Sequence, residues 1–337
     1  MRTVNYSEIL YGSAALASIQ PADIDASIFA LLRTFHDRRL QVAWEIHRWP
    51  DVCAVEFRHY RDGWEEGKIY EAGDELYDAV TGRYYQALRA APITPPTTAG
   101  IVNKSDWAEC AMSYTAVNWV AGTNYVLGDQ VYDPVTENFY QVYSAHTSGS
   151  TIDLTKMGRL APFNRYVAYV QTNQTPIGEI FQATNRDPRQ TTQMTRLPFW
   201  LSSDGAQFQA SAPSGVWLLF RRRRESLAGD AWNTDLTYDV GQQVYFTWTA
   251  KAFGNFYTAL EPCAAGESPL STPSKWLVVS LPYFLRGYLI QAGYADWLIS
   301  DGQTDKATIH ETFAMSFLEL EADKLQRQQQ QVQRLTV

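Results

Sequence analysis

Trp64–Leu88 reads WEEGKIYEAGDELYDAVTGRYYQAL, Trp119–Tyr143 reads WVAGTNYVLGDQVYDPVTENFYQVY, and Trp232–Leu260 reads WNTDLTYDVGQQVYFTWTAKAFGNFYTAL. In each stretch a tryptophan precedes a glycine by nine residues: Trp64 and Gly73, Trp119 and Gly128, Trp232 and Gly241. A tyrosine stands three residues before each glycine (Tyr70, Tyr125, Tyr238) and another four after it (Tyr77, Tyr132, Tyr245). A further tyrosine, Tyr85 or Tyr140, follows the glycine by twelve residues in the first two copies. The third copy reaches Tyr257 after sixteen, so its hairpin is four residues longer. A closing aromatic follows each copy: Trp107, Phe163 and Trp276. So many matched positions mark one structural unit used three times.

The unit is a β-hairpin. Glu75-Leu76-Tyr77-Asp78 and Arg83-Tyr84-Tyr85-Gln86-Ala87-Leu88 alternate with the strand period of two. Thr81-Gly82 between them signals a turn. The glycine before the first strand suits a turn that needs positive φ. A unit of roughly 45 residues has a small core, and large aromatic rings supply the apolar area it lacks.

Around the repeats the pattern is helical. Ser7 can cap a short helix through Ala17. Asp23 to Asp25 start a second, whose apolar positions Ile28, Leu31, Leu32, Phe35, Leu40, Ala43, Trp44 and His47 recur at helical spacing until Pro50. Arg38-Arg39 in its middle reads as a solvated face. Near the other end Pro282 suits a first turn. Phe284, Tyr288, Ile290, Gln291, Tyr294, Ala295 and Leu298 follow, and Asp301-Gly302 stops the run. Thr304 can cap a last helix with a stripe of Phe313, Phe317, Leu320 and Leu325. The Gln-rich end, Gln326 to Arg334, is either an extension that orders on a partner or a frayed tail.

Between the second and third copies, Arg165–Val170, Gly178–Ala183, Leu197–Leu201 and Gly215–Phe220 read as strands, with Asp204-Gly205 as a hairpin turn. This β-unit ends in Arg221-Arg222-Arg223-Arg224, either a contact for an acidic partner or DNA phosphates, or a solvated strand end. The expected class is therefore α+β. Helices stand at both ends, and the β-region between them holds three small aromatic-rich β-modules and a separate β-unit. The expected divisions are 1–55 and 281–337 for the helical parts, 60–110, 115–163 and 230–280 for the modules, and 164–226 for the β-unit.

Composition narrows the function. A net charge of −8 argues against a general nucleic-acid binder, which carries a basic face, and suits a surface past which DNA slides. The three cysteines, Cys53, Cys110 and Cys263, are far apart with no CxxC, which suggests free thiols and a reducing compartment rather than a zinc site or disulfide framework. No signal-peptide pattern opens the chain, and no run of ~18 apolar residues predicts a membrane span. His36, His47, His59, His146 and His310 show no metal-ligand spacing, and HExxH, GxSxG, P-loop and GxGxxG motifs do not occur. Asp74 with Asp78, or Asp129 with Asp133, has the makings of a glycosidase pair. Recurrence in tandem copies points instead to a role in the module's own structure. The reading is a non-enzyme without cofactor or metal.

Two resemblances follow. The repeats resemble the small chitin-binding type of carbohydrate-binding module, through Tyr70, Gly73, Asp74, Tyr77, Tyr84, Tyr85, Gln86, Ala87 and Trp107. The second copy matches through Gly128, Asp129, Val131, Tyr132, Tyr140 and Gln141. The third departs, with Gln242 for the aspartate and Phe246 at the Asp78/Asp133 position. The resemblance implies sugar-stacking aromatics, so Tyr77, Tyr85, Trp107, Tyr132, Tyr140, Tyr257 and Trp276 become candidate glycan or protein contacts; the alternative is that the rings are core. The frame, from Arg38-Arg39-Leu40-Gln41-Val42-Ala43-Trp44-Glu45-Ile46-His47-Arg48-Trp49-Pro50 and from Leu281-Pro282-Tyr283-Phe284 to Glu319-Leu320-Glu321, resembles tailed-bacteriophage head–tail connector (adaptor) proteins. It covers about fifty residues at each end and, more loosely, the central β-unit, and it implies that helices from both chain ends form one α-helical bundle with the β-region inserted between them. It implies a homo-oligomeric ring, commonly of twelve subunits, in the virion neck and assembled in the host cytoplasm. Its implied partners are the portal and tail or stopper proteins, with genomic DNA passing through. Portal docking then falls to Gln326, Arg327, Gln328, Gln331 and Arg334, and channel or partner contact to Arg221, Arg222, Arg223 and Arg224. The alternative function is a carbohydrate-binding decoration or tail protein that attaches to a host surface.

Overall fold

The computed structural model describes residues 2–92, 94–209, 214–248 and 253–334, with side chains in the last helix described through 327. Helix makes up 26% and strand 30%, so the chain is mixed α plus β, with several small sheets and a C-terminal helix pair. It divides into two compact units. One joins both chain ends, Met1–Cys53 and Arg224–Val337; the other is the continuous Ala54–Arg223. The third repeat thus belongs with the helices, and the first two belong with the central strands.

In the first unit, helix α1 spans Tyr6–Leu16, α2 Ala26–Ile46, α3 Arg286–Ser300 and α4 Thr304–Arg334. The two ends are clasped by a strand pair, Thr3 opposite Pro282 and Val4 opposite Leu281. Pro282 therefore ends a strand, and a 3-10 turn, Tyr283–Leu285, leads into α3. The start of α2 matches expectation: Asp25 accepts from the N–H groups of Ser27 and Ile28 at 2.9 and 2.8 Å, satisfying donors that a helix start leaves open. The start of α1 does not. Ser7 is buried inside the helix and its Oγ accepts from Gly254 N–H at 3.0 Å. The orphan N–H of Tyr6 is taken by Asn255 Oδ1 at 2.7 Å, a side chain from the third repeat. A distant hairpin caps this helix, which no local motif encodes.

The core of this unit draws Tyr6, Ile9 and Leu10 from α1, Leu32, Leu40 and Ala43 from α2, Tyr288, Leu289 and Ala292 from α3, and Ala314 and Leu318 from α4. Arg38 and Arg39 do not form a merely solvated face. Arg39 makes a two-point bond to the buried Asp296 of α3, at 3.0 and 2.7 Å, and reaches Glu311 of α4 at 2.8 Å. Arg38 adds 2.8 Å to the same aspartate. These paired charges hold the Arg39 guanidinium firmly protonated. The stripe on α4 is also turned: Phe313, Phe317 and Leu320 are exposed, and α4 buries Ala307, Ala314 and Leu318, with Leu325 partly packed.

Besides the first two repeats, the second unit contains two three-stranded sheets. Tyr166–Ala168, Gly205–Phe208 and Phe199–Leu201 form one, with Asp204-Gly205 at the hairpin end as expected. Ile177–Thr184, Gly215–Arg222 and Cys53–His59 form the other, in that order. Their shared core includes Val167, Phe208, Val216, Leu218 and Phe220.

His36 sits fully buried at the centre of the helical unit. Ser13 Oγ donates to Ile290 O at 3.1 Å, so it accepts from His36 Nε2–H at 2.9 Å, and Tyr6 OH donates to Nδ1 at 3.0 Å. Both ring nitrogens are satisfied in the neutral form, and burial pushes the imidazole down to about 3. The unfolded chain takes up a proton near pH 6.5 that the fold refuses, so stability drops as pH falls from about 6.5 toward 3, by up to ~1.4 kcal/mol per pH unit. Urea melts of wild type and His36→Asn at about pH 7, 5.5 and 4.5 should show the steeper acid loss in wild type; parallel losses would refute it.

Candidate interaction surfaces

Each repeat is built from the same bonds. The N–H of Gly73, Gly128 or Gly241 donates across the hairpin to the carbonyl of Ala87, Val142 or Ala259, each at 2.8 Å. The glycines have φ of 97°, 91° and 84°, a conformation that excludes most side chains. Asp74 Oδ2 and Asp129 Oδ2 accept from the N–H three residues back at 2.8 Å, and in the third copy Gln242 Oε1 does the same at 3.0 Å. Gln242, a departure in sequence, is thus a replacement in geometry. Tyr70, Tyr125 and Tyr238 hydroxyls accept from the N–H groups of Glu65, Val120 and Asn233 at 2.8 to 2.9 Å. The aspartates take structural roles: Asp78 accepts from Val80 N, Thr81 N and two threonine hydroxyls, and Asp133 from Val135 N and Thr136 Oγ1. These bonds hold both carboxyls below the usual carboxylate range despite burial at Asp78.

The closing position is set by register: Ala87 pairs with Trp107, Val142 with Met157, and Ala259 with Trp276. Met157, not Phe163, closes the second copy, and Phe163 packs instead in the two-sheet core beside Tyr84, ring centroids 4.7 Å apart. The longer third hairpin pairs up to Trp248 and Phe253; its tip, 249–252, lies outside the described residues.

These hairpins have two apolar faces. The inner one holds Tyr85 and Trp107, Tyr140 and Met157, or Trp276 with half-buried Tyr257. Tyr85, Trp107, Tyr140 and Trp276 are buried, so they give a sugar no ring face; their role is core. The second face carries Tyr77 and Tyr84, Tyr132 and Phe139, or Tyr245 and Phe256. It too is engaged. Tyr84 lies in the two-sheet core, with its hydroxyl bonded to Tyr60 N and Ser214 O, and His59 stacks on Tyr77 at 3.7 Å. Phe139 packs on Tyr114 between copies one and two. Tyr245 and Phe256 join Tyr6 and Phe29. Tyr77, Tyr132 and Tyr257 keep part of their surface exposed.

Copies one and two lock together reciprocally. Buried Gln86 donates to Arg159 O at 3.0 Å and accepts from Ala161 N–H at 3.1 Å; its counterpart Gln141 donates to Trp107 O at 3.3 Å. In the third copy this position is Thr258.

The arginine run divides: Arg221 bridges Glu179 at 2.8 Å, Arg224 bridges Asp37 of α2, and Arg222 and Arg223 are exposed. Gln326 and Arg327 are exposed on α4, which remains helical to Arg334; the side chains of Gln328, Gln331 and Arg334 lie outside the described residues. Among the described residues no cluster of three or more His, Cys, Asp or Glu is arranged to hold a metal, and no helix is long and apolar enough to cross a membrane.

One open cleft, about 560 Å³, was not expected. It is lined by Tyr11, Phe29, Trp232, Tyr245 and Phe246, with Asp25 and Asp230. Phe246 forms part of its wall: where Asp78 and Asp133 fold back to cap their turns, Phe246 stands edge-on to Trp232 at 5.5 Å. The mismatch of the third copy at this position was its only signal in the sequence. No family model matches the chain, and no curated protein matches it.

Because Tyr85 and Tyr140 are core, Tyr85→Ala and Tyr140→Ala should each cost about 3–5 kcal/mol, read by chemical denaturation. A loss below about 1 kcal/mol would contradict the packing.

Proposed function

We propose that this chain is a virion assembly protein, a head–tail connector whose terminal helices form one bundle and oligomerise as a ring around the DNA path. The observation that carries this reading is the joining of the two chain ends. Residues from α1, α2, α3 and α4 share one core, and the ends are clasped by Thr3–Val4 against Leu281–Pro282. Ala54–Arg223 is inserted between the two parts of this unit, and the third repeat stays with the helices; a β-region inserted between terminal helices is the plan that the connector resemblance implies. In this proposal the Gln-rich end of α4 engages the portal, and the small β-modules offer surface to neighbouring virion proteins. The reading needs no catalysis, and the contact of the Ser13 hydroxyl with His36 is buried beyond reach of any substrate.

A second reading, attachment to a surface glycan, draws on one observation: the cleft where Trp232, Tyr245 and Phe246 stand near two carboxylates. Aromatic faces stack on the C–H face of a sugar, and carboxylates accept from its hydroxyls. Retardation in affinity electrophoresis through chitin or host polysaccharide, abolished by Phe246→Asp, would favour it.

The connector reading predicts density for this chain in a closed ring below the portal in a cryo-electron-microscopy reconstruction of the particle neck. Deleting the residues after Gln326 should abolish co-sedimentation with portal rings. Unchanged binding would refute the docking role of that segment, and absence from the neck would refute the connector.

A further inference from the structure

Helix α4 is apolar on two opposite sides. Ala307, Ala314 and Leu318 face the core. At helical spacing on the far side stand Ile309, Phe313 and Leu320, exposed by 55, 52 and 51%, with Phe317 at 41% on the flank against Gly287. A surface helix normally carries one apolar stripe. Helix α2 also exposes apolar side chains: it buries Leu32, His36, Leu40 and Ala43, and Leu31, Val42 and Ile46, exposed by 38, 46 and 41%, fall at helical spacing on the flank of that buried face. The two exposed stripes are separate surfaces of the same unit, since α3 packs against both helices and Arg39 of α2 meets Glu311 on α4's buried side.

We propose that these stripes are the two halves of one head-to-tail contact: α4 of one copy lies against α2 of the next. The occupant of each stripe is thus a second copy of this chain. The α4 stripe offers on the order of 400 Å² of apolar surface, about half of the ~800 Å² per partner in a standard interface. A two-fold dimer through either stripe would bury one and leave the other in water. A head-to-tail contact buries both on every copy, and it closes into a ring when the rotation allows. Charge points the same way. On α4 the exposed Asp305, Glu319 and Asp323 lie beside the stripe, while Glu311 and Glu321 are taken by Arg39 and Lys324; on α2, Arg33 and Arg39 are bound to Asp230 and Asp296, so the charge beside its stripe is Arg38, which also touches Asp296. Arg38, whose side chain is 63% exposed, flanks one stripe, and exposed Glu319 flanks the other. Unlike faces attract, whereas two copies of the α4 face repel.

The inference rests on the ring reading above and specifies its subunit contact. Its test is oxidative crosslinking of the full chain. Val42→Cys and Phe313→Cys are made singly and together, both at exposed positions, with wild type as control for the native thiols. The double variant should give a ladder of disulfide-linked oligomers, and a mixture of the two single variants should stop at the dimer. Phe313→Asp should weaken self-association at least about tenfold in sedimentation, with an unchanged circular dichroism spectrum. Dimers from Phe313→Cys alone would overturn the head-to-tail contact in favour of a two-fold one. Rings in native mass spectrometry without crosslinks in the double variant would overturn this interface but keep the ring. A monomer under all conditions, in the presence of portal as well, would overturn both.

Discussion

A β-hairpin with four to seven residues per strand buries too little surface to stand in water. These three hairpins are also apolar on both faces, so each must be covered twice. One cover is local: the strand that closes the copy, with the tyrosine before the glycine. The other comes from the rest of the chain, through Tyr77 and Tyr84, Phe139, or Tyr245 and Phe256. That requirement shapes the molecule. It seats copy one on the two-sheet core, sets copies one and two against each other, and makes copy three part of the helical unit. The modules are therefore built into their hosts, with little ring surface left for a ligand.

The same docking organises the polar interior. Asn255 caps α1 because Phe256 beside it packs under Tyr6. In the helical unit the buried groups have few satisfied arrangements. Asp296 requires Arg39 and Arg38, and the neutral ring of His36 requires one hydroxyl on each nitrogen. A shift of α2 by one residue would strand a buried carboxylate and an imidazole, each costing several kcal/mol. Gly293 marks how close this packing is: a Cβ there would stand 2.4 Å from His36 Nε2. Chemistry that resembles a catalytic constellation on paper serves here to fix helix register.

How far the sequence could be read depended on whether a feature is local. The repeat was legible because its glycines, tyrosines and turn aspartates are tied to bonds within a few residues or across one hairpin. The N-terminus of α2 was legible because Asp25 caps its own helix. The closing residue of copy two was not, since Met157 fills a tryptophan's place and only strand register identifies it. Ser7 and Arg39 were misread because their partners, Gly254, Asp296 and Glu311, lie over two hundred residues away in sequence. Four of the candidate contact rings, Tyr85, Trp107, Tyr140 and Trp276, proved to be core for a related reason: a period of two separates the faces of a strand but does not say which of them meets water.

From its order of residues alone, this chain determines that it is mixed α and β, that helices stand at its ends, and that one hairpin recurs three times, because backbone conformation and short-range hydrogen bonds depend on neighbours. Only the tertiary structure decided that Tyr85, Trp107, Tyr140 and Trp276 are core, that copy three joins the helices, and that Phe313 faces out, because burial is settled by surfaces far apart in the chain that meet only when it folds.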